Sequence, residues 1–199
     1  MPPRRTAGAI AWIAAASGFL ILEAMSAHAV PAYSYVHDYI SSLGVPARSP
    51  RAGMVNAAFA VQGVLLLLGA LLLAGASRHT RLFVGLVALN TVGNVVVAAV
   101  HSGSPLHGWG ALLAIAGGNA AILAGARCVP QLFEARWYRV LSQCVAALGF
   151  VGLVLFVVGA SGRTSVPWVG VWERLSVYSI LLWQALSAVF ALLSAGRGD

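Results

Sequence analysis

Charge is the first thing missing from this chain. Only 9% of its 199 residues are charged, and lysine does not occur, so all twelve basic residues are Arg. A water-soluble domain carries about 25% charged residues. This chain is therefore too poor in charge to cover a solvent-facing surface, and a separate soluble domain is excluded. The five acids leave a formal net charge of +7. That excess does not indicate nucleic-acid binding, because the Arg fall in ones and twos between apolar runs and form no basic stripe with interleaved aromatics. Cysteine is equally scarce: Cys128 and Cys144 follow neither a metal-binding nor a redox spacing. No H-E-x-x-H motif occurs, no nucleophile elbow surrounds Ser41 or Ser42, and no repeat or low-complexity tract is visible.

What the chain does have is apolar length. Hydrophobic residues make up 60% of it and the mean hydropathy is +0.87. A bilayer core takes about 20 apolar residues to cross as a helix. Six such runs are present, at about 7–29, 53–76, 82–100, 107–126, 140–160 and 175–195. The first contains "SAHAV", an Ala-x-Ala pattern at Ala27 and Ala29, but its length favours a retained helix over a cleaved leader. In lipid every backbone polar group must be satisfied internally, and uniform runs achieve that as helices. The expected fold is an all-α integral membrane bundle of six transmembrane helices in one domain, residues 1–199.

Arginine placement predicts its orientation. The head, "SRHTR", "RCVPQLFEARWYR" and the tail hold Arg4, Arg5, Arg78, Arg81, Arg127, Arg136, Arg139 and Arg197. The alternate connections hold Arg48, Arg51, Arg163 and Arg174. Eight against four predicts that both termini are cytoplasmic in a cell (plasma) membrane. Small residues at Gly110, Ala114, Gly118, Ala121 and Gly125 predict a close-packing seam on span four.

Polar residues within spans are costly, so their positions carry information. On this topology His28, His37, His101, His107, Glu23, Asp38 and Glu173 all map to the outer half, whereas His79 and Glu134 map to the inner half. Asn90, Asn94 and His101 share one face of span three, since four residues are about one turn. Span four carries Asn119, and span two carries Asn56 and Gln62. Span six opens with Glu173 and Arg174, followed by Tyr178 and Gln184. The stretch "YSYVHDYISSLGVPARSPRAG" concentrates Tyr, His, Asp and Arg in a single connection, with Gly44, Pro46 and Pro50 opposing a long helix. An outward polar pocket closed over by residues 30–52 is the expectation. Its candidate ligand-binding residues are Glu23, His37, Asp38, Ser42, Asn94, His101, His107, Asn119, Glu173, Arg174 and Tyr178.

Each of these has a plainer structural reading. The Asn residues serve as inter-helix hydrogen-bonding groups, Glu173 and Arg174 form an inter-helix ion pair, and Trp109, Trp168 and Trp172 form an interfacial belt. A metal at His101 and His107 would need Asp38, His37 or Glu173 as a third ligand. No metal-site spacing supports that, so no cofactor is expected.

Four stretches carry a family resemblance: "HDYISSLG", "PLHGWGALLAIAGGNAAILAG", "RWYRVLSQCVAALGFVGLV" and "GVWERLSVYSILLWQ". Together they resemble the bacterial six-span membrane family known as domain of unknown function 998, over nearly the whole chain. The resemblance implies the six-helix fold and marks Asp38, Ser42, His107, Asn119, Glu173, Arg174 and Tyr178 as positions matching the family pattern. Where many relatives have Phe-Pro and an acid before the matching His, this chain has "HSGSP". A looser topological likeness links it to the Frag and DRAM-like six-span proteins, some of them connected with lipid remodelling.

Three functional expectations compete. The leading one is a protein whose outward pocket binds a membrane lipid or another amphiphile. The second is an enzyme acting on an outer-leaflet headgroup, with His107 or His101 as general acid or base and Asp38 or Glu173 orienting it. The third is a non-catalytic scaffold. A secondary transporter is disfavoured by the lack of broken helices and of a midplane ionisable pair.

Overall fold

A computed structural model describes residues 3–75, 78–128 and 135–195. Ser77, Gln131, Glu134 and Arg197, assigned above to the inner side, lie outside the described residues. Six helices follow one another: α1 (Pro3–His28), α2 (Ala52–Leu73), α3 (Arg78–Ala99), α4 (Pro105–Gly125), α5 (Arg136–Ala160) and α6 (Val169–Ala195). Among the described residues all six are long and apolar enough to cross a membrane. The protein is a multi-pass membrane protein.

Neighbouring helices run antiparallel, and the contacts show it. Residues 4, 12 and 19 of α1 meet residues 71, 66 and 59 of α2, through Arg4 to the Leu71 carbonyl, Trp12 to the Leu66 carbonyl, and Phe19 on Phe59. Between α5 and α6, Tyr138 donates to Ser187 and Trp183 donates to Ser142, while Gly152 lies against Ser176. Helix α6 also packs on α1 and α4, which closes the bundle. It begins six residues before the apolar run that predicted it, at Val169 rather than Leu175. Its first turn, Val169 to Trp172, precedes Glu173 and Arg174, so the two charges sit inside the helix rather than at its start.

Two apolar clusters fill the interior. One lies towards the end bearing Cys128 and contains Trp12, Phe83, Ile122, Tyr138 and Trp183. The other lies beneath the long loop and contains Phe19, Ile40, Leu43, Val55 and Phe59. Amide side chains bridge helices between and beside them. Gln184 donates to the Trp12 carbonyl at 2.8 Å and accepts from Gln62 at 2.6 Å. Asn90 donates to the Ala114 carbonyl at 2.6 Å, and Asn119 to the Ser176 carbonyl at 3.0 Å. Because lipid tails are as apolar as Leu, such bonds and close packing hold helices together where the hydrophobic drive is weak.

The expected small-residue seam divides. Gly110 and Ala114 face α3, whereas Gly118 lies between Asn90 of α3 and Ile180 of α6, and Gly125 faces Phe83 and Trp183. The α3–α4 contact is the tightest of these: a side chain at Gly93 would collide with the backbone of Gly110 and Ala114. Gly93→Val should destabilise the detergent-solubilised protein by about 1–3 kcal/mol, the usual range for overpacking. Gly85→Ala on the same helix meets open space and should leave the melting temperature unchanged or slightly raised. Equal stability for the two variants would contradict this packing.

Candidate functional site

Glu173 and Arg174 are consecutive residues on α6, about 100° apart around the helix axis, since a helix turns once per 3.6 residues. They consequently reach to different sides, and both hold the connection between α1 and α2. The connection turns at Ala32, which has φ 59°, forms a buried 3₁₀ turn at Ile40–Gly44, and enters α2 at Ala52.

Arg174 faces α1. Its guanidinium lies 3.1 Å from the Glu23 carboxylate, and its Nε donates to the same oxygen at 3.2 Å. Nη1 donates to the carbonyls of Tyr35 (2.8 Å), Asp38 (2.9 Å) and Gly170 (3.1 Å). Nη2 donates to the Tyr33 hydroxyl, which donates onward to the Tyr39 carbonyl at 3.0 Å. The second Glu23 oxygen accepts from Tyr178 at 2.8 Å. Both charged side chains are buried, and each of their polar atoms has a partner, the condition under which a buried pair is tolerated. The guanidinium carbon also sits 4.6 Å from the Tyr35 ring centroid and 5.6 Å from that of Tyr33, within cation–π range. Burial pushes the Tyr33 phenol up from its ordinary value, with Arg174 opposing. It stays protonated at neutral pH and able to donate.

Glu173 faces a different side. One carboxylate oxygen accepts the Ile40 amide at the start of the 3₁₀ turn. The loop is thus gripped by its carbonyls through Arg174 and by an amide through Glu173. Gly170 lets the chain come this close: its amide donates to the Val36 carbonyl at 3.0 Å, and an added Cβ would lie 2.5 Å from the Asp38 carbonyl oxygen.

Beside Glu173 stands His107, buried at the start of α4. Ser104 caps that helix by accepting from the Leu106 amide at 3.3 Å, and Pro105 opens its first turn. His107 Nδ1 lies 2.6 Å from the Val100 carbonyl. A carbonyl only accepts, so Nδ1 carries the proton and Nε2 of the neutral ring is an acceptor. His107, Glu173, Ser41 and Ala111 line two adjoining spaces. One is an internal cavity of about 30 Å³ reaching Gln62, Asn90 and Asn94. On the measure by which one water takes about 10–15 Å³, it holds water-sized groups only. The other is an open groove of about 670 Å³ between α4 and α5, walled by Trp109, Leu112, Phe156 and Val157.

The remaining expected site residues divide. Glu23, Arg174 and Tyr178 form the clamp just described, and Asn94 lines the cavity while donating to Asn90 at 3.0 Å. The expected reach of the Asp38 and His37 side chains towards the helix-end histidines does not appear. The Asp38 carboxylate accepts the Ser34 amide at 2.8 Å, and His37 Nδ1 lies 3.1 Å from the Ser34 hydroxyl, because a tight turn within the loop satisfies both locally. Asp38 contributes through its backbone carbonyl instead. Ser42 donates to the Tyr39 carbonyl at 2.7 Å inside the same loop. His101 is exposed on the turn before α4 and does not line the groove that His107 lines. Asn119 points between α5 and α6, where its carbonyl oxygen abuts Gly149. Among the described residues no three His, Cys, Asp or Glu side chains converge to hold a metal ion.

Sequence reasoning passed over Tyr33, Tyr35 and Gly170, and weighed Ser41 only as a nucleophile. The Tyr-x-Tyr spacing at 33 and 35 was the one available signal, since rings two apart in a turning loop can flank one cation.

The fold and its polar end thus define a six-helix multi-pass membrane protein with a loop pinned over buried ionisable residues. A family model described as "Protein of unknown function (DUF998)" matches residues 6–190, and the chain belongs to that family. Comparison with curated proteins and with solved structures finds no match.

Removing either member of a buried pair leaves its partner uncompensated, at a cost of about 3–5 kcal/mol. Glu23→Gln and Arg174→Gln should each destabilise the detergent-solubilised protein by that amount, with a lowered melting temperature. The double variant should lose clearly less than the sum, as groups in direct contact do. Strict additivity in a double-mutant cycle would show that the pair does not stabilise the loop.

Proposed function

We propose that the protein binds a membrane lipid or a similar amphiphile in the groove between α4 and α5, with the headgroup at Glu173, His107 and Ser41. One observation carries this reading: the groove joins an apolar wall to a polar floor at the membrane-boundary end of the bundle. It descends from Ser102–Ser104 to Leu112, about 10 Å along α4 at 1.5 Å per residue. Trp109 and Phe156 are among its apolar lining. A volume of about 670 Å³ falls within the range of small-molecule sites, which combine apolar walls with a few convergent polar groups. The pinned loop roofs the floor through Tyr39 and Ser41.

In this reading both termini are cytoplasmic and the groove opens on the extracytoplasmic side of the cell membrane, as the Arg bias favours. A second reading, an enzyme acting on the bound headgroup, is favoured by one specific feature. His107 and Glu173 line the same space, an arrangement suited to acid–base chemistry. Turnover of a headgroup substrate, abolished by His107→Ala, would distinguish it from binding alone.

Gly108 lines the groove, and an added Cβ there meets nothing within 4 Å. Gly108→Phe should fill the groove while leaving the melting temperature unchanged. Photoreactive diazirine lipid should label peptides 102–112 and 156–161 strongly in the wild type and severalfold less in the variant. Labelling no stronger there than at the exposed Leu82 and Leu193 would overturn the assignment.

Orientation is tested separately in a Cys128→Ala, Cys144→Ala background. Ser104→Cys and Ser165→Cys should react with an impermeant maleimide in intact cells, and Arg136→Cys only after lysis. The reverse pattern would move the groove to the cytoplasmic side.

A further inference from the structure

The groove and the cavity behind it have an unusual polarity for a protein with twelve Arg and five acids. No Arg lines either space, and the one formally charged side chain on both is Glu173. Arg174, its neighbour in sequence, is turned to the α1 side, where Glu23, the Tyr33 hydroxyl and three backbone carbonyls take up its donors. An anionic headgroup entering the groove would meet a carboxylate and no compensating cation.

The hydrogen-bonding groups carry the same bias. His107, which lines both spaces, spends its Nδ1–H on the Val100 carbonyl, and the other nitrogen of the neutral ring is an acceptor. Asn90 donates to the Ala114 carbonyl, and Asn94 donates to the carbonyl and the side chain of Asn90. Gln62 donates to Gln184, which leaves its own oxygen, Oε1, with no partner. Gln62 is only 4% exposed and lines the cavity. A buried acceptor without a donor is unfavourable, so this atom marks a place where a donor group belongs. Glu173 accepts the Ile40 amide, and a carboxylate offers about four lone-pair sites, so it retains capacity for more donors. The cavity of about 30 Å³ admits a group the size of one or two waters, and an ammonium is that size.

We propose that the amphiphile of the preceding section carries a primary amine, and that its ammonium group passes Ala111 and lodges among Glu173, His107 Nε2 and Gln62 Oε1. The inference rests on the amphiphile reading and adds the headgroup chemistry. Three donor hydrogens on an ammonium meet three acceptors, one of them a carboxylate, and the apolar chain lies outward between Trp109 and Phe156. A hydroxyl headgroup supplies a single donor and no charge. A phosphate supplies the wrong charge.

The test is competition for the groove in the intact protein, in a neutral maltoside detergent. The site is labelled with the photoreactive lipid, and dodecylamine, dodecanol and dodecyl phosphate are compared at equal mole fraction in the micelle. The chains are identical, so differences report the headgroup. Dodecylamine should displace the label at about one-tenth or less of the dodecanol concentration, as a charge-assisted bond to one buried carboxylate predicts. Dodecyl phosphate should be the weakest. Ala111→Leu narrows the passage without touching the loop contacts, and should bring dodecylamine to the level of dodecanol while labelling persists. Glu173→Gln should do the same; should it fail to fold, Ala111→Leu carries the test. Equal displacement by all three compounds, or tightest displacement by the phosphate, would overturn the amine assignment and leave the amphiphile reading standing. An amine preference that survives in Ala111→Leu would also overturn it. If none of the three displaces the label from the groove peptides, the amphiphile reading falls together with the amine.

Discussion

The Glu23–Arg174 pair is the constraint around which the polar end of this molecule is organised. Two opposite charges buried between membrane helices are tolerable only if every donor and acceptor they carry is used. Satisfying the guanidinium takes the carboxylate of α1, a phenol and three backbone carbonyls, two of them from the loop. Satisfying the carboxylate also takes Tyr178. The pair therefore does more than join α1 to α6. It dictates the path of the α1–α2 connection, because the carbonyls of Tyr35 and Asp38 must come to Nη1. Gly170 is the steric condition for that approach, since any side chain there would occupy the space of the loop backbone.

Once the loop is held by Arg174, the adjacent residue completes the arrangement. Glu173 emerges about 100° around α6 from Arg174 and meets the Ile40 amide of the 3₁₀ turn. That contact closes the roof over His107 and the cavity. The order matters physically: one helix turn presents a cation to carbonyls and an anion to an amide, so the same loop is bound at both ends of its peptide dipoles. Polar groups deeper in the bundle play a different part. Gln62, Gln184, Asn90 and Asn119 span helix pairs by hydrogen bonds to backbone or to one another, and the glycines at 93, 110, 149 and 152 bring those backbones within reach. Helices α4 and α5 pack together less extensively than α3 and α4, and the groove opens between them beneath the loop.

Much of this was legible from composition. A chain with 9% charge and six apolar runs has few ways to satisfy its backbone in lipid, so number and type of helices followed from length and hydropathy alone. The cost of burying Glu23, Glu173 and Arg174 likewise flagged them as residues requiring partners. Asp38 and His37 looked equally promising and were not equally placed. In a loop of mixed polarity, a side chain that can close its own turn with Ser34 has no need of a distant partner, and linear sequence does not distinguish the two outcomes.

The amino-acid sequence by itself determined the membrane class, the six helices and the short list of buried polar residues, because hydropathy and helix length are local properties. Tertiary structure alone decided which of those residues share a space. Rotation about the axis of α6 sent Arg174 to Glu23 and Glu173 to His107, although they are adjacent in the chain. His101 and His107, read as neighbours, were separated by a helix cap that buries one ring and exposes the other. Whether the orphaned oxygen of Gln62 faces a cavity or a hydrogen bond depends on the packing of α2, α3, α4 and α6 together. No local pattern encodes that, since the space is defined by atoms brought together from every one of those helices.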